Sequence, residues 1–237
     1  IPLMAFFLFF FPNQVGYYVS YVIVFNMLVG PVFSAGSVTQ ERERQTLELL
    51  LTTLLKPGQI ISAKLISSLR VSTVLTLLLT MHIMLAYVMV DDLRANFLSM
   101  FEFFAIVLAT CLLTSTLGLF FSVLCRKTSA AMILTYLMML ALFVGPIGIK
   151  QFLRPFTTLT DAQISRFTIT SPFGAIFSVP LQFRDTTSPA RTISTGTGSG
   201  LPHVDWFYLG FAVGLSIVLL MLMDLLFRLR WRAASQG

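Results

Sequence analysis

Five stretches of the chain stay apolar for roughly 20 residues each: 17–38, 71–90, 103–125, 129–149 and 206–227, the last with Asp224 near its end. A helix rises about 1.5 Å per residue and a bilayer presents about 30 Å of hydrocarbon, so each stretch is long enough to cross. Residues 1–11 are apolar but too short, and read as the end of a first membrane helix whose beginning is missing. Gly30 and Pro31 interrupt the 17–38 stretch, the second span, which membrane helices tolerate when neighbours satisfy the freed backbone groups. The pattern predicts an all-α polytopic membrane protein with six transmembrane helices, the first truncated. Residues 1–237 form one transmembrane domain with a polar segment at 39–64 and a long loop at 150–205. The chain starts at Ile1 rather than Met, so it is expected to be part of a longer product.

Composition agrees, with 56% hydrophobic and 11% charged residues, the latter less than half of the about 25% usual in soluble domains. The net charge of +6 would point to nucleic acid in a soluble protein. Placement changes that reading. Arg42, Arg44, Lys56, Lys64 and Arg70 lie between spans two and three, Arg126 and Lys127 between four and five, and Arg228, Arg230 and Arg232 after span six. These three places alternate so as to share one side. Basic residues in short loops mark the cytoplasm, so the C-terminus is expected there and nucleic acid is not an expected partner. An integral membrane location follows, and the membrane is expected to be a bacterial inner (plasma) membrane.

The long loop is uneven. Residues 167–181 are mostly apolar but broken by Pro172, Gly174 and Pro180, which predicts a short interfacial or reentrant piece rather than a crossing. Residues 186–200 are rich in Ser, Thr and Gly and predict a flexible surface loop.

The least membrane-like part of the first half is ERERQTLELLLTTLLKPGQIISAK, residues 41–64. Leu47, Leu50, Leu51 and Leu54 recur at helical spacing, giving a short helix one apolar face, with Glu48 and Thr52 elsewhere and Thr46 placed to cap it. Lys56 before Pro57 is pushed out of the helical region, and Pro57 suits the first turn of a second helix running through Lys64 into span three. Such a helix can lie at the headgroup boundary with its leucines down. Alternatively it docks, with Glu41, Arg42, Glu43 and Arg44, into a cytoplasmic partner whose register the alternating charges would set.

This segment resembles the cytoplasmic motif of the type-two exporter permeases of the ATP-binding-cassette superfamily. In that motif a charged run is followed by Thr-Leu-Glu-Leu-Leu and a turn into a lysine-bearing helix. Glu41, Glu43, Thr46, Leu47, Glu48, Leu49, Leu50, Pro57 and Lys64 fit, as does a six-span layout with a long outer loop before the last span; Leu54 departs, where family members often carry Pro. The resemblance implies a permease subunit forming the substrate pathway, with a coupling helix at about residues 46–55 that receives motion from a separate ATPase. It also implies a second permease subunit, homologous or identical, and ATP and Mg held by the partner ATPase, with no cofactor on this chain. The chain carries no GxxxxGK[ST] loop; its nearest approach, GPIGIK ending at Lys150, is too short and lacks the hydroxyl residue. Hydrolysis is therefore expected elsewhere, and this chain is not expected to be an enzyme.

Other residues are weighed against packing. Thr110, Thr114, Gly118 and Ser122 form a small-residue stripe at four-residue spacing along span four, suited to close helix packing within the subunit or to a dimer seam. Cys111 and Cys125 are about 21 Å apart along one helix, beyond disulfide reach. His82 is the ionisable group of mid-span three and is expected to pack; Asp224 and Arg228 are spaced to pair; Glu102 lies near the outer start of span four, where its charge can stay wet. A membrane-embedded enzyme is disfavoured, since His82 and His203 are the only histidines and no triad gathers on the spans. A secondary transporter driven by an ion gradient is the alternative, resting on His82 and the Gly30-Pro31 interruption.

Overall fold

The computed structural model describes residues 14–45, 57–94, 96–153, 168, 170–184, 192–194 and 204–234. Residues 1–11, expected to end a first span, and the expected coupling helix at 46–55 lie outside these residues. The elements are α1 (Val15–Ser34), α2 (Thr39–Glu43), α3 (Pro57–Met89), α4 (Asp91–Arg94), α5 (Phe97–Leu124), α6 (Thr128–Met139), a π-helical turn (Leu140–Val144), α7 (Gly145–Leu153), α8 (Pro172–Ser178), β1 (Gln182–Arg184), β2 (Thr192–Ser194) and α9 (Val204–Ala234). Among the described residues five helices are long and apolar enough to cross a membrane. The protein is a polytopic helical membrane protein, as the hydropathy pattern predicts.

Each of these five helices begins ahead of its apolar stretch, and α1 ends at Ser34, short of the predicted residue 38. α3 begins at Pro57, where proline's fixed φ suits a first helical turn and its missing amide costs nothing, and runs unbroken to Met89. α1 carries Pro31 inside it and continues to Ser34. Pro31 has no amide for the Met27 carbonyl, and the neighbouring Leu28 carbonyl accepts the Tyr136 hydroxyl at 2.7 Å. The apolar segment over residues 128–152 is α6 and α7 joined by the π turn. There the Ser171 hydroxyl donates to the Phe143 carbonyl at 2.7 Å, supplying a partner where the regular ladder is displaced. The GPIGIK stretch lies inside α7 and is not a loop.

The chain divides into two compact units. The first comprises residues 1–25, 75–110 and 141–211. Its interior holds Tyr18, Phe103, Ile106 and Tyr208. The Tyr18 hydroxyl donates to the Leu79 carbonyl at 3.0 Å, and the Thr110 and Tyr208 hydroxyls share a bond of 2.7 Å. The seven residues of α8 are too few to span, in keeping with the short piece read from the sequence; Ala175 and Ile176 are buried, and Phe177 meets Tyr17 edge to face at 5.3 Å. Gly174 is required here, because a Cβ would stand 2.5 Å from the Thr168 carbonyl oxygen.

Two expectations are corrected in this unit. Residues 192–194, placed by composition in a flexible loop, pair antiparallel with 182–184 in the register Gln182 to Ser194. A strand ladder satisfies backbone groups without an apolar core, which composition alone does not register. Glu102 is buried, 6% exposed, rather than wet. α5 starts at Phe97, so Glu102 sits a turn and a half inside the helix instead of at its mouth.

The second unit comprises residues 26–74, 111–140 and 212–237. Its core joins Val38, Ile61, Leu65, Leu119, Val123 and Met223, with Leu69, Phe120 and Leu220 packed on it. The first part of α3, the end of α5 and α9 at Leu220 and Met223 thus converge on Val38 in the turn before α2, and that convergence positions the charged run.

Candidate functional site: the charged run at α2

α1 stops at Ser34 and the chain turns through 35–38 before α2. The turn sits close against α5 because Gly118 has no side chain. A Cβ there would fall 1.9 Å from Ser34 Oγ and 3.1 Å from the Ala35 nitrogen. Four residues on, the Ser122 hydroxyl accepts from both the Val38 amide (2.9 Å) and the Thr39 amide (3.1 Å). The opening amides of α2 are therefore capped by a side chain from α5, since Val38 at the cap position has no side-chain oxygen to offer. Just past the Arg44 C-cap of α2 stands Gln45, whose φ of 58° is the left-handed conformation that closes helices.

Those two ends place the first three of four successive charges on different neighbours. Glu41 forms an ion pair with Lys64 of α3, both side chains about a quarter exposed (27% and 26%). Arg42 donates through Nη1 to the Cys125 carbonyl and through Nη2 to the Val123 carbonyl at 3.4 Å. Glu43 accepts the Thr128 amide on Oε1 at 2.7 Å, and the Thr128 hydroxyl reaches Thr39 Oγ1 at 3.0 Å. The signs follow the helix dipoles: a cation at the C-terminus of α5, where carbonyls lack partners, and an anion at the N-terminus of α6, where amides do. The α5–α6 link is so short that both ends lie within reach of adjacent residues. Arg44 is exposed.

Of the residues singled out in the sequence, Glu41, Arg42, Glu43 and Lys64 are thus brought together through α3, α5 and α6. Pro57 opens α3. Thr46, Leu47, Glu48, Leu50 and Leu51 lie outside the described residues. The stripe on α5 faces its own chain. Thr114 donates to Asn26 Oδ1 at 2.8 Å and stands beside Gly30, where a Cβ would be 3.0 Å from Thr114 Oγ1; Gly118 meets Ser34, and Ser122 caps α2. In the other unit Thr110 meets Tyr208.

Sequence reasoning missed the bonds that these charges make to neighbouring helices of the same chain. The available signal was the short link after Cys125, which leaves a helix C-terminus and a helix N-terminus side by side and calls for opposite charges on consecutive residues. Asn26 and the Ser122 cap were also missed, since neither follows a local motif.

Elsewhere, His82 Nδ1 lies 3.2 Å from the Leu79 carbonyl and its ring 6.4 Å from that of Tyr18. Cys111 and Cys125 are free thiols, Cys111 donating to Ser72 Oγ at 3.3 Å. Asp224 stands beside the start of α3, its Oδ1 3.6 Å from where a Gly58 Cβ would be; the Arg228 side chain lies outside the described residues. No group of three His, Cys, Asp or Glu suited to a metal occurs among the described residues.

Compared with known proteins, the chain matches the family model described as ABC-2 family transporter protein over residues 4–230. No curated protein matches it.

Proposed function

Because the chain belongs to the ABC-2 family of transporter proteins, and so is a permease component of an ATP-binding-cassette transporter, we propose that it is the permease subunit of an exporter driven by a separate ATPase. The family implies association with such an ATPase; ATP and Mg reside on that partner. Two permease subunits form the pathway, in a bacterial inner membrane, with the C-terminus and the 39–64 segment in the cytoplasm.

The observation that carries the reading is the wiring of the charged run. α2 leads directly into residues 46–55, the segment whose resemblance implies coupling. Through Glu41, Arg42 and Glu43 it is tied to the starts of α3 and α6 and the end of α5. A push delivered at 46–55 therefore reaches three helices through charged contacts rather than through a loose loop. The ATPase must favour one arrangement of these helices, because a partner that binds both equally moves nothing.

Co-purification with an ATPase bearing a phosphate-binding loop, followed by reconstitution, tests the proposal. Charge reversal at Glu41 and Glu43, or Leu50→Asp, is expected to abolish transport or its coupling to hydrolysis. Unchanged transport and ATPase stimulation in these variants refutes the coupling assignment. Transport sustained by an ion gradient without any ATPase refutes the exporter.

A further inference from the structure

A groove of about 470 Å³ runs between the α1–α2 strand of chain and α3, and its two walls change character in step. On one wall Phe33, Ser37, Glu41 and Arg44 follow one another at helical spacing, and on the other Val71, Ser68 and Lys64 do. The antiparallel course puts apolar Phe33 and Val71 at one end, the serines in the middle, and Glu41, Lys64 and Arg44 at the other. Phe33 and Val71 are exposed, 41% and 39%, and beyond Val71 the same helix continues with exposed Val74. The groove is thus open to a charged group at one end and to an apolar tail at the other.

Hydrogen-bonding capacity sets the sign of the group. The Ser37 and Ser68 hydroxyls already donate to the Ser34 and Leu65 carbonyls at 2.8 and 3.0 Å, so neither hydrogen is available. The Lys64 ammonium has three donors and gives one to Glu41, which also cancels its charge. What remains at the polar end is the second and third Lys64 hydrogens and the Arg44 guanidinium, beside the neutral Gln40 and Ser67 side chains, with a net charge of one positive. That complements a single phosphodiester.

We propose that this groove binds the anionic headgroup of a membrane glycerophospholipid, with its phosphate on Arg44 and Lys64 and its acyl chain along Phe33 and Val71. Long basic side chains at the edge of an apolar surface are suited to such headgroups, and one of them contributes about a fivefold effect in affinity.

The test is titration of fluorescent phosphatidylglycerol into the purified full-length chain in neutral detergent. Saturable binding is expected, weakened about fivefold by Arg44→Gln. Ser67→Trp, from an exposed residue on the α3 wall, is expected to abolish it by filling the groove, whereas Ser62→Trp, outside the groove, is expected to leave it unchanged. Should Ser67→Trp fail to fold, Arg44→Gln decides alone. Equal binding by wild type and Arg44→Gln overturns the site. Displacement by inorganic phosphate as effective as by unlabelled phosphatidylglycerol overturns a lipid in favour of free phosphate, and equal competition by phosphatidylcholine overturns the preference for an anion. The lipid proposal stands or falls independently of ATPase coupling, which this measurement does not involve.

Discussion

α5 and α9 are both long, apolar helices without a charge in mid-span, yet they hold opposite places in the molecule. In the apolar part of α5, 72% of the residues are buried within the chain, against 22% in α9. The difference lies in side-chain size and hydroxyl content. α5 presents Thr110, Thr114, Thr116, Gly118 and Ser122, all buried, and α9 presents Ile217, Val218, Met221 and Leu225, all exposed. In lipid, apolar bulk gains nothing from leaving the hydrocarbon, so close packing and hydroxyl bonds decide which helix goes inside. Hydropathy sorts membrane from water; it does not sort interior from lipid face.

The sharpest way to break this comparison is with glycine. Gly118→Val places carbon into Ser34 and against the Ala35 backbone, and is expected to cost about 3 kcal/mol or to prevent folding. At Gly214 of α9 nothing lies within 4 Å of a Cβ, so Gly214→Val should leave the thermal unfolding of the detergent-solubilised protein almost unchanged. Equal losses at the two sites would show that α9 has a packed face supplied by a second subunit.

Arg42→Ala comes next. It leaves the Cys125 and Val123 carbonyls without the guanidinium, an expected loss of about 2 kcal/mol in thermal unfolding, since hydrogen bonds to charged groups are worth about 1.5–3 kcal/mol. Arg42→Lys should recover part of it, as a point charge complements the dipole but cannot reach two carbonyls with a planar fork.

How far the sequence could be read follows the same division. The five long helices were legible because 20 apolar residues have few other uses, and the break at Pro57 because proline constrains its own φ and its predecessor. The stripe on α5 was legible as a contact surface, but its partners Asn26, Ser34 and Tyr208 were not, because spacing along one helix says nothing of what faces it. The charges at 41–44 read in the sequence as a docking surface. Three of them also bond to helices of their own chain, Glu43 while staying exposed, and the juxtaposition of two helix ends across a short link explains the contacts of Arg42 and Glu43. Glu102 was misplaced by the few residues that separate an apolar stretch from the helix containing it.

Glu43 separates charge from hydrogen bonding at that link. Glu43→Gln keeps an oxygen that can accept the Thr128 amide and loses only the interaction with the α6 dipole, an expected cost of about 0.5 kcal/mol that salt screens. Glu43→Ala removes the acceptor as well and should cost about 1 kcal/mol. A transport defect in Glu43→Gln much larger than its stability loss would show that the charge itself takes part in coupling.

The smallest effect is expected where α5 and α9 meet within one unit. Thr116 Oγ1 lies 3.3 Å from Ser216 Oγ, but each hydroxyl also has a carbonyl of its own helix, Leu112 at 2.9 Å for Thr116 and Ala212 at 2.7 Å for Ser216. A hydroxyl with a partner one turn back loses little when the interhelical bond goes. A double-mutant cycle with Thr116→Val and Ser216→Ala should therefore give a coupling energy at or below about 0.6 kcal/mol, the usual size of such bonds in membranes. A coupling several times larger would mean that α9 is held by polar bonds as α5 is, and that its exposed face is not what distinguishes it.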